Sequence, residues 1–230
     1  MSLLHSPKIV NNGLVLCLDA ASRKSYPGTG NVWRDLSGNG NDGTLTNGPT
    51  FNGANGGSIV FDAIDDHVLG VSNLPISGNA SFTISYFAIW DGVNFSNDFP
   101  SAVGNNLTGV VNQGLSTTWQ AGRIALDFWV NRFRDNTPLT VQTWYHVAFT
   151  KIPGTISSTS KLYANGQERS GAVEGTDTTP NITINPFILG RLDATRNFNG
   201  RIGNVQIYNR ALTIQEIQQN FNATRGRYGI

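Results

Sequence analysis

The sequence predicts an all-β protein: a two-sheet antiparallel sandwich in one domain, finished by one short C-terminal helix. Three observations predict it. Many short segments alternate apolar and polar residues, turn dipeptides separate them, and a helical apolar stripe occurs near the C-terminus. In Ser81–Trp90, Phe82, Ile84, Tyr86, Ala88 and Trp90 share one face, and Phe87 and Ile89 make one end of the other face apolar as well. Arg123–Val130 is expected to turn Ile124, Leu126, Phe128 and Val130 inward and Arg123, Asp127 and Trp129 outward. Further strands are expected at Leu14–Leu18, Ser58–Phe61, Val68–Val71, Trp144–Lys151, Lys161–Ala164, Ile182–Ile184, Phe187–Leu189 and Ile202–Tyr208. Asn165-Gly166 falls between two short strands and predicts a type I′ hairpin, which needs positive φ at both central residues. Thr213-Ile-Gln-Glu216 has the form of a capping box, and Ile214, Ile217 and Phe221 follow at helical spacing. Asp91–Gln120, rich in Gly, Asn, Ser and Thr, predicts either a long loop or irregular edge strands. The sandwich is expected over residues 13–224, with an N-terminal arm at 1–12 and a solvated or subunit-contacting tail at 225–230.

Composition narrows the function. Of 230 residues 13% are charged, and 16 basic against 15 acidic side chains leave a net charge of +1, too little field for a general nucleic-acid binder. The single Cys17 excludes an intramolecular disulfide framework and a Cys-rich zinc site. No apolar run approaches a membrane span, and Met1–Lys8 lacks the pattern of a signal peptide, so synthesis in a cytosol is expected. The 26 Gly and 26 Asn residues supply turn chemistry.

Several blocks in order resemble a known family: Gly13-Leu-Val-Leu-Cys-Leu-Asp-Ala20, Trp33-Arg-Asp-Leu-Ser-Gly-Asn-Gly-Asn-Asp-Gly-Thr44, Ile59-Val-Phe-Asp-Ala-Ile-Asp-Asp-His-Val68, Thr143-Trp-Tyr-His-Val-Ala-Phe-Thr150, Leu162-Tyr-Ala-Asn-Gly166 and Phe198–Leu212. Together they resemble the laminin G-like domains of the concanavalin A-like lectin/glucanase superfamily, which implies a jelly-roll sandwich. Stand-alone chains of this kind resemble virion proteins of tailed phages. The resemblance therefore implies a non-catalytic fibre, baseplate or capsid-decoration protein on the virion surface. Its partners would be other virion proteins, further copies of itself, or a host-surface glycan. The alternatives are a glycan-degrading hydrolase of the same superfamily and a purely structural decoration protein.

Hydrolysis asks for two carboxylates facing one cleft. The chain has three Glu, at 168, 174 and 216, in no such pattern, and Asp65 and Asp66 would face opposite ways in a strand. His5, His67 and His146 are scattered, and Cys17 lies in an apolar run that suits a buried inert thiol. For glycan, exposed aromatics beside amide, carboxylate and guanidinium groups are the expected mixture, and Trp119, Arg123, Asp127, Trp129, Asn131, Arg132 and Arg134 offer it. The competing reading of the arginines is pairing with Asp127 and Asp135. No cofactor is required. Calcium is the one the resemblance brings in, and two oxygen-rich turns could serve it: Asp35, Asn39, Asn41 and Asp42, and Asp62, Asp65 and Asp66. The competing reading is that these side chains cap turns. Relatives usually carry an acidic pair where this chain has Gly203-Asn204.

Overall fold

The computed structural model describes residues 8–92, 101–105 and 109–230. In chain order the strands are β1 Leu14–Asp19, β2 Val32–Trp33, β3 Gly43–Thr46, β4 Thr50–Asn52, β5 Ser58–Asp62, β6 His67–Asn73, β7 Phe82–Trp90, β8 Ser101–Gly104 and β9 Ser116–Gln120. They continue as β10 Arg123–Asp127, β11 Arg132–Asp135, β12 Tyr145–Lys151, β13 Ser160–Ala164, β14 Gln167–Arg169, β15 Gly171–Glu174, β16 Pro186–Leu189 and β17 Asn199–Tyr208. The helices are α1 Ile156–Thr159 and α2 Ile214–Thr224.

Two antiparallel sheets face each other, as expected of a jelly-roll sandwich. One runs β14-β13-β12-β7-β17-β5-β4, with β1 beside the second half of β17. The other runs β15-β11-β10-β9-β8-β16-β6-β3-β2. The alternating residues meet between them: Phe82, Ile84, Tyr86, Ala88 and Trp90 of β7 share a core with Ile124 and Leu126 of β10 and with Phe187 and Leu189 of β16. None of the described helices is long and apolar enough to cross a membrane.

A third layer lies outside the first sheet. Helix α2 buries Ile217 with Ala148, Tyr163, Tyr208 and Leu212, and Phe221 with Phe87, Ile89, Trp144 and Tyr228. Strand β7 is therefore buried along its whole length on both faces, not at one end. The capping box forms: Thr213 Oγ1 accepts the Glu216 amide at 3.3 Å and the Thr213 amide donates to Glu216 Oε2 at 2.9 Å. Asn165 and Gly166 have φ of 50° and 76°, the left-handed pair that the β13–β14 hairpin requires. At Gly200, φ is 154° and a Cβ would stand 2.0 Å from the Ile89 carbonyl oxygen, so only glycine lets β17 approach β7 there.

Four expectations need correction. The strand expected to reach Val130 ends at Asp127, and Val130 is exposed, because the chain turns back into β11. Ile182–Ile184 contributes one bridge, from Ile182 to Gly78, and no strand. Within Asp91–Gln120 the strand alternative holds, but β8 and β9 lie inside the second sheet and not at its edge, while 93–100 and 106–108 lie outside the described residues. The tail is no solvated end: Tyr228 is buried and stacks on Phe87 at 4.3 Å, and Arg227 pairs with Asp19 at 2.7 Å. The arm is likewise anchored where described, since Val10 donates its amide to Asn220 Oδ1 at 2.8 Å.

Candidate functional site

The β10–β11 connection builds a display turn. Trp129 and Val130 both take left-handed backbone, with φ of 60° and 79°, a costly conformation for an aromatic followed by a β-branched residue. It is fastened from several sides. Asp127 Oδ1 accepts the Trp129 amide at 2.7 Å, the Asn131 carbonyl accepts the Phe128 amide at 2.9 Å, and the Phe128 carbonyl accepts the Asn112 amide at 2.8 Å. Asn131 is buried; it donates to Asn112 Oδ1 at 2.9 Å and accepts the Thr176 amide at 2.7 Å. The result leaves the Trp129 indole half-exposed, with the Arg196 guanidinium 4.4 Å from its ring centroid. Asp193 holds that guanidinium by an ion pair and a 2.9 Å bond to Nε. Burial pulls the Asp193 carboxyl upward, but hydrogen bonds from Arg196 and Thr195 prevail and bring it down to about 2.

The other glycan candidates separate into distinct roles. Trp119 is buried, not exposed: β9 sets it opposite Ile124 on the inner face, its Nε1 donates to the Tyr86 hydroxyl at 3.0 Å, and no sugar can reach it. Asn131 is part of the turn's scaffold. Arg132 pairs with Asp127 at 2.8 Å and Glu174 at 3.6 Å, while Arg134 pairs with Glu174 at 2.7 Å. Asp127 is buried, which pushes its carboxyl up against the pull of Arg132. Arg134 thus takes Glu174 as partner, and Asp135 goes to Arg169 at 2.8 Å. Arg123 is half-buried at the start of β10.

The two oxygen-rich turns differ. In the first, both carboxylate oxygens of Asp35 are taken up by the protein's own donors. Asp35 takes amides from Cys17, Ser37 and Asn41 at 2.8–3.0 Å and the Ser37 hydroxyl at 2.7 Å, and Asp42 takes the Asp35 amide at 2.8 Å. Asn39 and Asn41 donate to the carbonyls of Leu14 and Val15 at 3.2 and 2.7 Å. These residues lock a loop onto β1 and do not fit a cation.

The second turn does fit. Asp62 closes β5 and the loop to β6 returns sharply through Ala63 (φ 66°), so the carboxylates of Asp62, Asp65 and Asp66 lie within 4.8 Å of one another. Asp65 and Asp66 sit in this loop, not in a strand, which is why they converge. Asp62 and Asp65 are exposed and Asp66 is buried; burial and then the neighbouring Asp62 push its carboxyl up to about 6. Asp62 Oδ1 accepts the Ile64 amide at 2.8 Å and Asp66 Oδ2 the Asp62 amide at 3.1 Å, and the three crowded carboxylates still offer the charge and part of the oxygen shell that a hard cation takes.

One loop links this turn to Trp129. Asn197 Nδ2 donates to the Ile64 carbonyl at 2.6 Å, and its neighbour Arg196 covers Trp129. Loop 191–197 therefore joins the acid turn and the indole into one rim. Sequence reasoning passed over Asp193, Arg196 and Asn197; the i,i+3 acid–base pair Asp193/Arg196 was the available signal. The remaining reactive side chains are tied up. Cys17 is buried and its thiol is pushed up to about 12, while His146 is buried, bonded to Ser85 Oγ at 2.7 Å, and lowered to about 3 by that burial.

Residues 62–218, which include the acid turn, the display turn and loop 191–197, match the laminin G-like family model described as concanavalin A-like lectin/glucanases superfamily. The chain belongs to that superfamily. Solved structures share the fold at low identity. The binding domain of Paraclostridial Mosquitocidal Protein 1 superposes with a TM-score of 0.66 at 20% identity, over 93% of this chain and 52% of that one. Trypanosoma rangeli sialidase, in complex with 2,3-difluorosialic acid, gives 0.61 at 18%, over 92% of this chain and 33% of the enzyme. Domain 4 of AbnA, a GH43 extracellular arabinanase from Geobacillus stearothermophilus, in complex with arabinotriose, gives 0.60 at 16%, over 90% of this chain and 97% of that domain. This chain thus spans about half the length of the toxin domain and a third of that of the sialidase. No curated protein sequence matches the chain.

Proposed function

We propose that this chain is a non-catalytic glycan-recognition module, and that its sugar-binding rim is Trp129 with Arg196, flanked by the Asp62/Asp65/Asp66 turn. The observation that carries the reading is the display of Trp129 in a strained, well-fastened turn, with a guanidinium on its face and polar loops around it. Strain retained at a half-buried aromatic on the rim points to use, since the fold gains little from it. The toxin binding domain and the arabinotriose complex lend the reading support by analogy of fold.

All three glutamates are committed to ion pairs, Glu168 with Lys161, Glu174 with Arg134 and Glu216 with Arg210, which favours binding over hydrolysis. Calcium is the cation proposed for the acid turn, where it would neutralise the three carboxylates and brace the rim beside Asn197. The setting proposed, by resemblance of the ordered sequence blocks, is the surface of a virion, with further copies or other virion proteins as neighbours.

A glycan array with and without calcium, run on the unmodified chain and on Trp129→Ala, tests the reading. Binding lost in the variant supports it, and binding unchanged in the variant removes the rim from consideration.

A further inference from the structure

A cleft that shares no lining residue with the Trp129 rim carries features of a ligand site. It lies beyond the start of β5, whereas the acid turn lies beyond its end. Its volume is about 280 Å³, near the lower bound of about 300 Å³ for small-molecule sites and suited to one sugar ring. Phe51 forms one wall. Its cross-strand partner Ile59 is wholly buried in the core, but β4 is an edge strand, so Phe51 is left at the open margin of the sandwich, 36% exposed. Tyr26 braces one side of the ring at 5.6 Å and is itself pinned by a 2.8 Å bond to the Gly30 carbonyl. Gly28 and Gly53 keep the space beside the ring open: a Cβ on either would stand 3.7 Å from it. The one ionised side chain lining the cleft is Arg23, exposed and with no ion pair or side-chain hydrogen bond among the described residues. No carboxylate lines it.

We infer that this cleft is a second saccharide subsite, selective for a sugar that carries a carboxylate, such as a terminal uronic acid. The ring would stack on Phe51, and the carboxylate would meet the Arg23 guanidinium, which can hold a carboxylate by two parallel hydrogen bonds. The site is separate from the Trp129 rim and stands whether or not that rim binds sugar.

The test is titration calorimetry of the full chain with a glucuronate-terminated oligosaccharide and with its neutral glucose-terminated counterpart. The unmodified chain binds the acidic probe at least about tenfold more tightly, from the ion pair. Phe51→Ala loses the preference for the acidic probe, Arg23→Gln levels the two affinities, and Trp129→Ala, whatever it does to overall affinity, leaves the preference intact. Thermal midpoints of the variants close to the parent show that the exposed positions were changed without unfolding. Equal affinity of the parent for both probes, or a preference for the acidic probe that survives Phe51→Ala, overturns the inference. Loss of the preference in Trp129→Ala alone would overturn it too, by assigning the acid preference to the rim.

Discussion

The Arg196 guanidinium rests 4.4 Å above the Trp129 ring, and Asp193 fixes it there. Asp193 titrates at about 2 in the fold against an ordinary 3.8. Because the folded value is depressed, the contribution of Asp193 to stability is fully present above about pH 4 and is lost as pH falls toward 2. Thermal midpoints of Asp193→Asn are therefore expected to fall less than those of the parent between pH 4 and 2. Identical slopes would show that the pair does not stabilise the rim.

Trp119 and Trp129 were equal candidates in sequence and are opposites in structure. Trp119→Ala empties a core position between Tyr86 and Trp90 and is expected to cost about 3–5 kcal/mol in denaturant unfolding. Trp129→Ala is expected to cost far less or to stabilise, since alanine bears less strain in left-handed backbone than a bulky residue does. Comparable losses for the two would contradict the placement.

The C-terminal residues are structural. Tyr228 stacks on Phe87 at 4.3 Å and packs on Trp144 at 4.6 Å, so Tyr228→Ala is expected to cost about 3 kcal/mol. Truncation after Thr224 should cost at least as much, because it also removes Arg227 from Asp19. A truncated chain with an unchanged unfolding midpoint would refute this.

The acid turn predicts a cation response. Added calcium should raise the thermal midpoint, chelator should reverse the rise, and Asp62→Asn should abolish it. Asp66→Asn is expected to stabilise the calcium-free chain at neutral pH, because its charged form is disfavoured by burial and by Asp62. A midpoint indifferent to both calcium and chelator would end the assignment.

Alternation and turn chemistry made the sandwich readable in advance, down to the Asn165-Gly166 hairpin and the Thr213/Glu216 box, because each rests on local geometry. The site was less readable, because it depends on what faces what. Trp129 was picked out, but as a strand residue; the left-handed turn that presents it is fastened by Asn112 and Thr176, both distant in sequence. Trp119 was misplaced because its surroundings in sequence are polar while its neighbours across the sheet are core residues. Asp35 and Asp62 stand in similar composition and both accept backbone amides; what tells them apart is that β1 and its own loop fill both oxygens of Asp35, whereas Asp62 stands within 4.8 Å of two further carboxylates. Arg196 and Asn197 join the rim through contacts more than sixty residues away in the chain.

Trp129 is the proposed sugar platform of this superfamily member. Its most direct test is glycan affinity of Trp129→Ala against the parent, measured by titration calorimetry on the strongest array hit with calcium present. The account predicts a loss of about tenfold or more, as for a central aromatic anchor, at nearly unchanged stability. Full affinity in a folded Trp129→Ala variant would contradict it.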